Sequence, residues 1–156
     1  MPVQKLTEFL DQNDVRYVTI KHSTAYTAQE VAAAAHIPGK ELAKPIMVKL
    51  DGEMAMATLP ASYQVDLEAL AREVGAGGAE LAEEDDFEGL FPESELGAMP
   101  PFGNLYDIPV YVDRTLEEDE EIAFSAGSHT ELVRMSYDDY KRLVKPRVLN
   151  FGRKED

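Results

Sequence analysis

Val3, Leu6, Phe9 and Leu10 recur at helical spacing, and Pro2 suits a first turn, so the chain is predicted to open with an amphipathic helix. Residues 15–20 alternate and are rich in β-formers, which predicts a strand. Thr27 followed by Glu30 is a capping-box pattern that opens an alanine-rich helix, and Pro38-Gly39 stops it. Two apolar runs, 46–50 and 54–59, flank Asp51-Gly52 and read as a hairpin. Asp66 is placed to cap a short helix over 67–74 that ends at Gly75. A further helix is expected near 83–90, and the glycines and prolines of 97–103 require a loop. Strands are expected at 108–112, 122–124 and 132–135. Ser136 with Asp139 reads as a second capping box, for a last helix through Val144 that Pro146 limits. Helices and strands are interspersed around at least one hairpin, so the expected class is α+β, a single domain on a mixed sheet.

Charge changes this picture more than composition does. The chain has 156 residues and a formal net charge of −15. The balance is +1 over residues 1–50, −18 over 51–126 and +2 over 127–156. So acidic a chain is no general DNA binder, which needs a broad positive field. A polyanion would have one neutral-to-basic face at most, built from the two ends, with the acids of 80–95 and 117–121 turned away from it. The plain alternative is that the acids only solvate an exposed surface. No apolar run approaches the ~20 residues of a bilayer span, and the start has no signal-peptide core, so a cytoplasmic protein without membrane contact is expected. There is no cysteine, hence no disulfide, no thiolate nucleophile and no Cys-ligated zinc.

Three places carry candidate chemistry. Gly97-Ala98-Met99-Pro100-Pro101-Phe102-Gly103 combines stiff prolines with glycines that permit positive φ and close backbone approach. Such a loop suits holding a small polar group or an oxyanion, and it equally suits a rigid turn. Ser125-Ala126-Gly127-Ser128-His129-Thr130-Glu131 is a small polar run between two strands, where His129 could orient a substrate or shuttle a proton, or simply occupy a loop. Lys44 stands at a strand entrance, either aimed into a cleft or solvated. Met47, Met54, Met56 and Met99 fit a pocket lining or core filling. No metal or cofactor is expected: His129 and Glu131 form an HxE pair without further Cys or His ligands, and His22 and His36 have no ligand-like partners.

In this order the pieces resemble the YbaK / prolyl-tRNA-synthetase-associated editing-domain family of free-standing aminoacyl-tRNA deacylases. The resemblance rests on Lys44 before Ile46-Met47-Val48, on Gly97-x-x-x-Pro101 continuing into Phe102-Gly103, and on Ala126-Gly-Ser-His-Thr-Glu131 leading into a strand. It runs from the first helix to about Val144. It implies a mostly antiparallel mixed sheet curled toward a barrel, helices outside, and a pocket at the sheet's mouth. The domain would occupy 1–150 and leave 151–156 as a polar tail. The implied activity is hydrolysis of the ester between a wrong amino acid and the 3′ end of a tRNA, in trans. Lys44 and His129 would be the catalytic positions. Gly97, Ala98, Met99, Pro100, Pro101 and Phe102, with Gly127 and Ser128, would bind substrate. The implied partners are the aminoacylated tRNA end and a synthetase. A non-catalytic module for a tRNA end or a synthetase, and a small-molecule binder on the same fold, stay open as alternatives.

Overall fold

The computed structural model describes residues 2–154. Helix α1 (Gln4–Gln12) buries Leu6 and Leu10 completely, as its spacing predicts. Pro2 lies ahead of the helix, because Val3 takes the N-cap position and gives its N–H to Ala126 O at 2.9 Å. After β1 (Tyr17–Lys21), α2 (Ala28–Ala34) starts with the predicted capping box, Thr27 accepting from Glu30 N and Glu30 from Thr27 N, each at 3.1 Å. β2 (Ala43–Leu50) and β3 (Glu53–Pro60) form the hairpin over Asp51-Gly52. β4 (Tyr63–Val65) precedes α3 (Leu67–Val74), which Asp66 caps and which ends with Gly75 in the left-handed region. β5 (Ala79–Leu81) and α4 (Glu84–Phe87) follow, α4 being shorter than the helix expected near 83–90. Then come β6 (Val110–Asp113), β7 (Glu121–Ser125), β8 (Glu131–Ser136), α5 (Tyr137–Val144), β9 (Arg147–Leu149) and β10 (Gly152–Lys154). Ser136 caps α5 by accepting Asp139 N–H at 3.1 Å.

The strands divide among three sheets, ordered β1-β8-β7, β10-β4 and β5-β2-β3-β6-β9. Pairing is antiparallel except where β6 runs parallel to both β3 and β9, so the α+β mixed-sheet expectation holds. No barrel closes among the described residues. A single bridge, Leu42 to Ala123, joins the lead-in of β2 to β7. The largest apolar cluster lies around Leu6, Leu10, Met56, Phe102, Phe124 and Tyr140, and two smaller ones sit under α3 and α2. No helix of the described residues is long and apolar enough to cross a membrane.

The unpredicted strands β4, β5, β9 and β10 have three residues each, too few for a period of two to register. One of them lies past residue 150. Phe151 is only 1% exposed, and β10 pairs with β4. Asp113 draws this segment in. Its buried carboxylate accepts N–H groups from Phe151 at 2.8 Å, Gly152 at 2.6 Å and Thr115 at 3.2 Å, and it also bonds the Thr115 hydroxyl. Gly152 is required there, since a Cβ would stand 2.7 Å from the Asp113 carboxyl carbon.

Two stability predictions follow from these buried acids. Asp113→Ala orphans several donors at once, at about 1–3 kcal/mol for each buried group. It should therefore lower unfolding free energy by about 3 kcal/mol in urea titration, and a loss under about 1 kcal/mol would contradict the anchoring role. Asp119 is buried and its Oδ2 has no partner among the described residues. Burial first, then Glu41 and Glu118 against an opposing Lys40, pushes its carboxyl up to about 6. A raised carboxyl pKa favours the fold below the ordinary value near 3.8 and loses that contribution as pH rises through about 6. Relative to the natural chain, Asp119→Asn should thus gain stability between pH 5 and pH 8, read as a widening difference in Tm.

Candidate functional site

Segments far apart in sequence converge on a cleft of about 420 Å³. One wall is the start of β2, Leu42 to Met47. Tyr26, Ala28 and Val31, before and within α2, form another. Leu81, Ala82 and Phe87 close a third side, and Gly97, Met99, Ser125 and His129 complete the lining. The lining is mainly apolar and contains no carboxylate.

Lys44 is half-buried on β2, paired in register with Leu59, and its Nζ donates to Ala61 O at 3.2 Å. That bond ties the ammonium to the far end of β3, so it enters the cleft held and not swinging. Lys49, further along β2, does not line the cleft.

Gly97 is the third residue of a turn closed by Ala98 N–H to Glu95 O at 3.0 Å. Its φ of +85° is what a turn of type II demands at that position, and glycine meets the demand without strain. The second polar run is stitched to this turn. Gly127 N–H donates to Ala98 O, and Glu95 N–H donates to Gly127 O, both at 2.8 Å. Gly127 has a φ of +111°, and a Cβ on it would lie 2.4 Å from Val3 Cγ2, so only glycine lets α1 approach the stitch.

His129 stands between the turn and an aromatic ring. Its Nε2 is 3.0 Å from Leu96 O, and a carbonyl can only accept, so Nε2 carries a proton and Nδ1 is the ring nitrogen outside this bond. Glu95 Oε2 lies 3.6 Å from the same nitrogen. Tyr26 packs on the imidazole with centroids 4.8 Å apart, yet is itself 69% exposed at the cleft mouth.

The other residues expected to bind substrate do not all line the cleft. Pro100, Pro101 and Phe102 are buried and do not line the cleft. Phe102 packs on Phe124 and Tyr140, each with centroids 5.3 Å away, and the Tyr140 hydroxyl donates to Pro101 O at 2.7 Å. This half of the loop is therefore the rigid anchor and the Gly97–Met99 half is the lining. Ala98 and Gly127 act through the backbone stitch. Ser128 Oγ lies 3.3 Å from Thr130 Oγ1, within its own turn. Met47 and Met99 line the cleft, whereas Met56 is core. Sequence reading passed over Tyr26 and Phe87. Each is a lone large aromatic among small or acidic residues, which was the available signal. Among the described residues, no three His, Asp or Glu side chains gather as a metal site.

The acids and bases are less segregated than expected. Lys141 Nζ is 2.5 Å from Glu117 Oε2, and Arg142 Nη2 is 3.1 Å from Asp139 Oδ1. Two bases of the C-terminal segment are thus paired with carboxylates, one of them from the acidic 117–121 run.

The aminoacyl-tRNA editing domain family model matches residues 22–143, which include every lining segment. The chain belongs to this family. It is 30% identical to the multifunctional Ser/Thr-tRNA deacylase ProXp-y of Escherichia coli K12, over 96% of this chain and 92% of that one. It is 31% identical to a proline–tRNA ligase of Staphylococcus saprophyticus over 69% of this chain but 19% of the ligase. The fold matches that of hypothetical protein APE2540 with a TM-score of 0.83 at 18% identity, covering 96% of this chain and 100% of the other. A candidate trans-editing enzyme for prolyl-tRNA synthetase matches with a TM-score of 0.77 at 20% identity, covering 98% and 96%. In this editing domain the two glycines carry unequal burdens. Gly97→Ala meets open space apart from His129 Cε1 at 3.8 Å, so it should cost about 1–2 kcal/mol of backbone strain. Gly127→Ala adds a steric clash to that strain and should cost at least about 1 kcal/mol more by urea unfolding; equal losses would contradict the stitch geometry.

Proposed function

We propose that this editing domain hydrolyses the ester joining an amino acid to the 3′ end of a mischarged tRNA, in trans and in the cytoplasm. The single observation that carries the reading is a held ammonium, Lys44, facing a glycine-bearing turn across a mostly apolar cleft. Family membership and the deacylase relative support it.

Water attacks the ester carbonyl, a tetrahedral oxyanion forms, and the carbon–oxygen bond to the ribose breaks. The amino acid leaves as a carboxylate, the ribose oxygen takes one proton originating from the attacking water, and the other proton goes to solvent. Such a reaction needs a positioned water and a stabilised oxyanion but no protein nucleophile. Lys44 supplies fixed positive charge and positions the substrate beside the developing oxyanion. The turn at Gly97 presents backbone to the aminoacyl group. The Ala98 amide is committed to Glu95 O, so any donated amide comes from its neighbours. His129 holds the turn through Nε2 and keeps Nδ1 as an acceptor for substrate or water. The bridge between Leu42 and Ala123 joins the lead-in of β2 to β7 and supports a sheet curled toward a barrel, with the cleft at its mouth.

Ser125 offers a hydroxyl to an acyl side chain, which fits small hydroxylated amino acids such as serine and threonine. Size alone discriminates by roughly 1–3 kcal/mol per methylene, so a hydrogen bond here adds selectivity that shape cannot. A synthetase that produces the mischarged tRNA is the second proposed partner.

The test is release of labelled amino acid from a panel of mischarged tRNAs. Lys44→Ala should lower kcat/KM at least about a hundredfold, since a removed oxyanion donor costs that much. Its unfolding free energy should change by less than about 1 kcal/mol. A natural chain that binds these tRNAs but leaves every ester intact would point instead to a non-catalytic module, and full activity in Lys44→Ala would remove Lys44 from the site.

A further inference from the structure

We propose that the ion pair between Lys49 and Asp86 is a specificity-determining strap, holding Phe87 against the cleft and so setting the size of acyl group admitted. The proposal rests on the deacylase reading of the cleft.

Phe87 ends α4 and lines the cleft, but α4 cannot place it unaided. The helix has four residues, none of them buried, and residues 83–86 are all carboxylates. So short and self-repelling a segment has little stability of its own. It is held from outside. At one end Ala82 N–H donates to Met47 O on β2 at 3.0 Å, and at the other Glu95 N–H donates to Gly127 O at 2.8 Å. Between them, Asp86 Oδ1 lies 2.7 Å from Lys49 Nζ, while Asp86 Oδ2 accepts Glu83 N–H at 2.8 Å.

Lys49 follows Met47 by two residues on β2, so the two side chains share a face of the strand. Met47 lines the cleft and Lys49 stands just outside it. The strap thus runs from the strand that forms one wall of the cleft to the segment that closes another side. Both partners are well charged: Asp86 raises the Lys49 pKa, and Lys49 with the Glu83 amide lowers that of Asp86.

Phe87 also has somewhere to go. A second cavity of about 250 Å³, under residues 88–96, is lined by the same Phe87 and Met99. A released ring can move toward it, widening the cleft by part of that volume. Neither Lys49 nor Asp86 reaches the reacting atoms, so the effect belongs to selection and not to the chemical step.

The experiment compares kcat/KM for seryl and leucyl esters on one and the same tRNA, so that tRNA binding cancels in the ratio. Lys49→Met and Asp86→Asn should each lower the seryl-over-leucyl ratio at least about fivefold, chiefly through faster leucyl release, with seryl kcat within about twofold of the natural chain. Asp86→Asn keeps an oxygen for Glu83 N–H and removes only the charge. Lys49→Arg should retain the ratio. Salt raised from about 0.05 to about 0.5 M should lower the natural ratio toward that of Lys49→Met and leave the variant's unchanged. An unaltered ratio in both charge-removing variants overturns the strap, as does loss of the ratio in Lys49→Arg or loss of seryl kcat in a folded Lys49→Met. If the natural chain releases neither amino acid, the deacylase reading itself fails and the strap's role in selection falls with it; an active chain with unchanged ratios overturns the strap alone.

Discussion

Two hydrogen bonds, each 2.8 Å long, join Gly127 to the turn at 95–98, and most of the site depends on them. They hold the two glycine-bearing loops side by side. Val3 N–H to Ala126 O then ties the first helix to the same place, and the absence of a Cβ at Gly127 makes room for Val3. His129 follows two residues later and completes the arrangement by donating to Leu96 O. Behind the turn, Pro101 O is held by the fully buried Tyr140 hydroxyl, so the loop cannot drift relative to the core. A cleft lined by such a loop is preorganised, which is where hydrolysis of an activated ester gains most.

Electrostatics around this frame is arranged locally and not by hemisphere. The middle of the chain carries −18, yet no carboxylate lines the cleft. Part of the acidic excess is neutralised in pairs, Glu117 with Lys141 and Asp86 with Lys49. The latter pair sits at the cleft's edge, where an acidic segment would otherwise have no reason to stay close. The mouth of the cleft is therefore mostly apolar, with Tyr26 exposed on it and the anchored Lys44 ammonium inside. On the proposed reading few phosphates need be touched, which reconciles a −15 chain with a nucleic-acid end.

The long elements were legible because each carries several turns or alternations of pattern. The hairpin over Asp51-Gly52, the boxed start of α2 and the Asp66 cap with its Gly75 stop all stand where local chemistry put them. Lys44 and the loops at 97–103 and 125–131 were singled out by residue type and order, and five of the residues named there, Lys44, Gly97, Met99, Ser125 and His129, line one cleft. The Pro100-Pro101-Phe102 half of the loop went the other way. Its composition suits a binding loop and a core anchor equally, and only the position of Tyr140 separates the two.

The sequence by itself determined the α+β class, the caps and turns, and the residue types available for chemistry, because these depend on neighbours within a few positions. Tertiary structure decided the rest. It placed Tyr26 on His129 and Phe87 beside Met99, and it drew Phe151 into the core through Asp113, a carboxylate 38 positions away. It also paired Lys49 with Asp86 and set Lys44 in the cleft, though both lysines stand on one strand. None of these partnerships has a local signature. Each is fixed by which backbone segments pack together, and that is settled by burial of the whole apolar set at once.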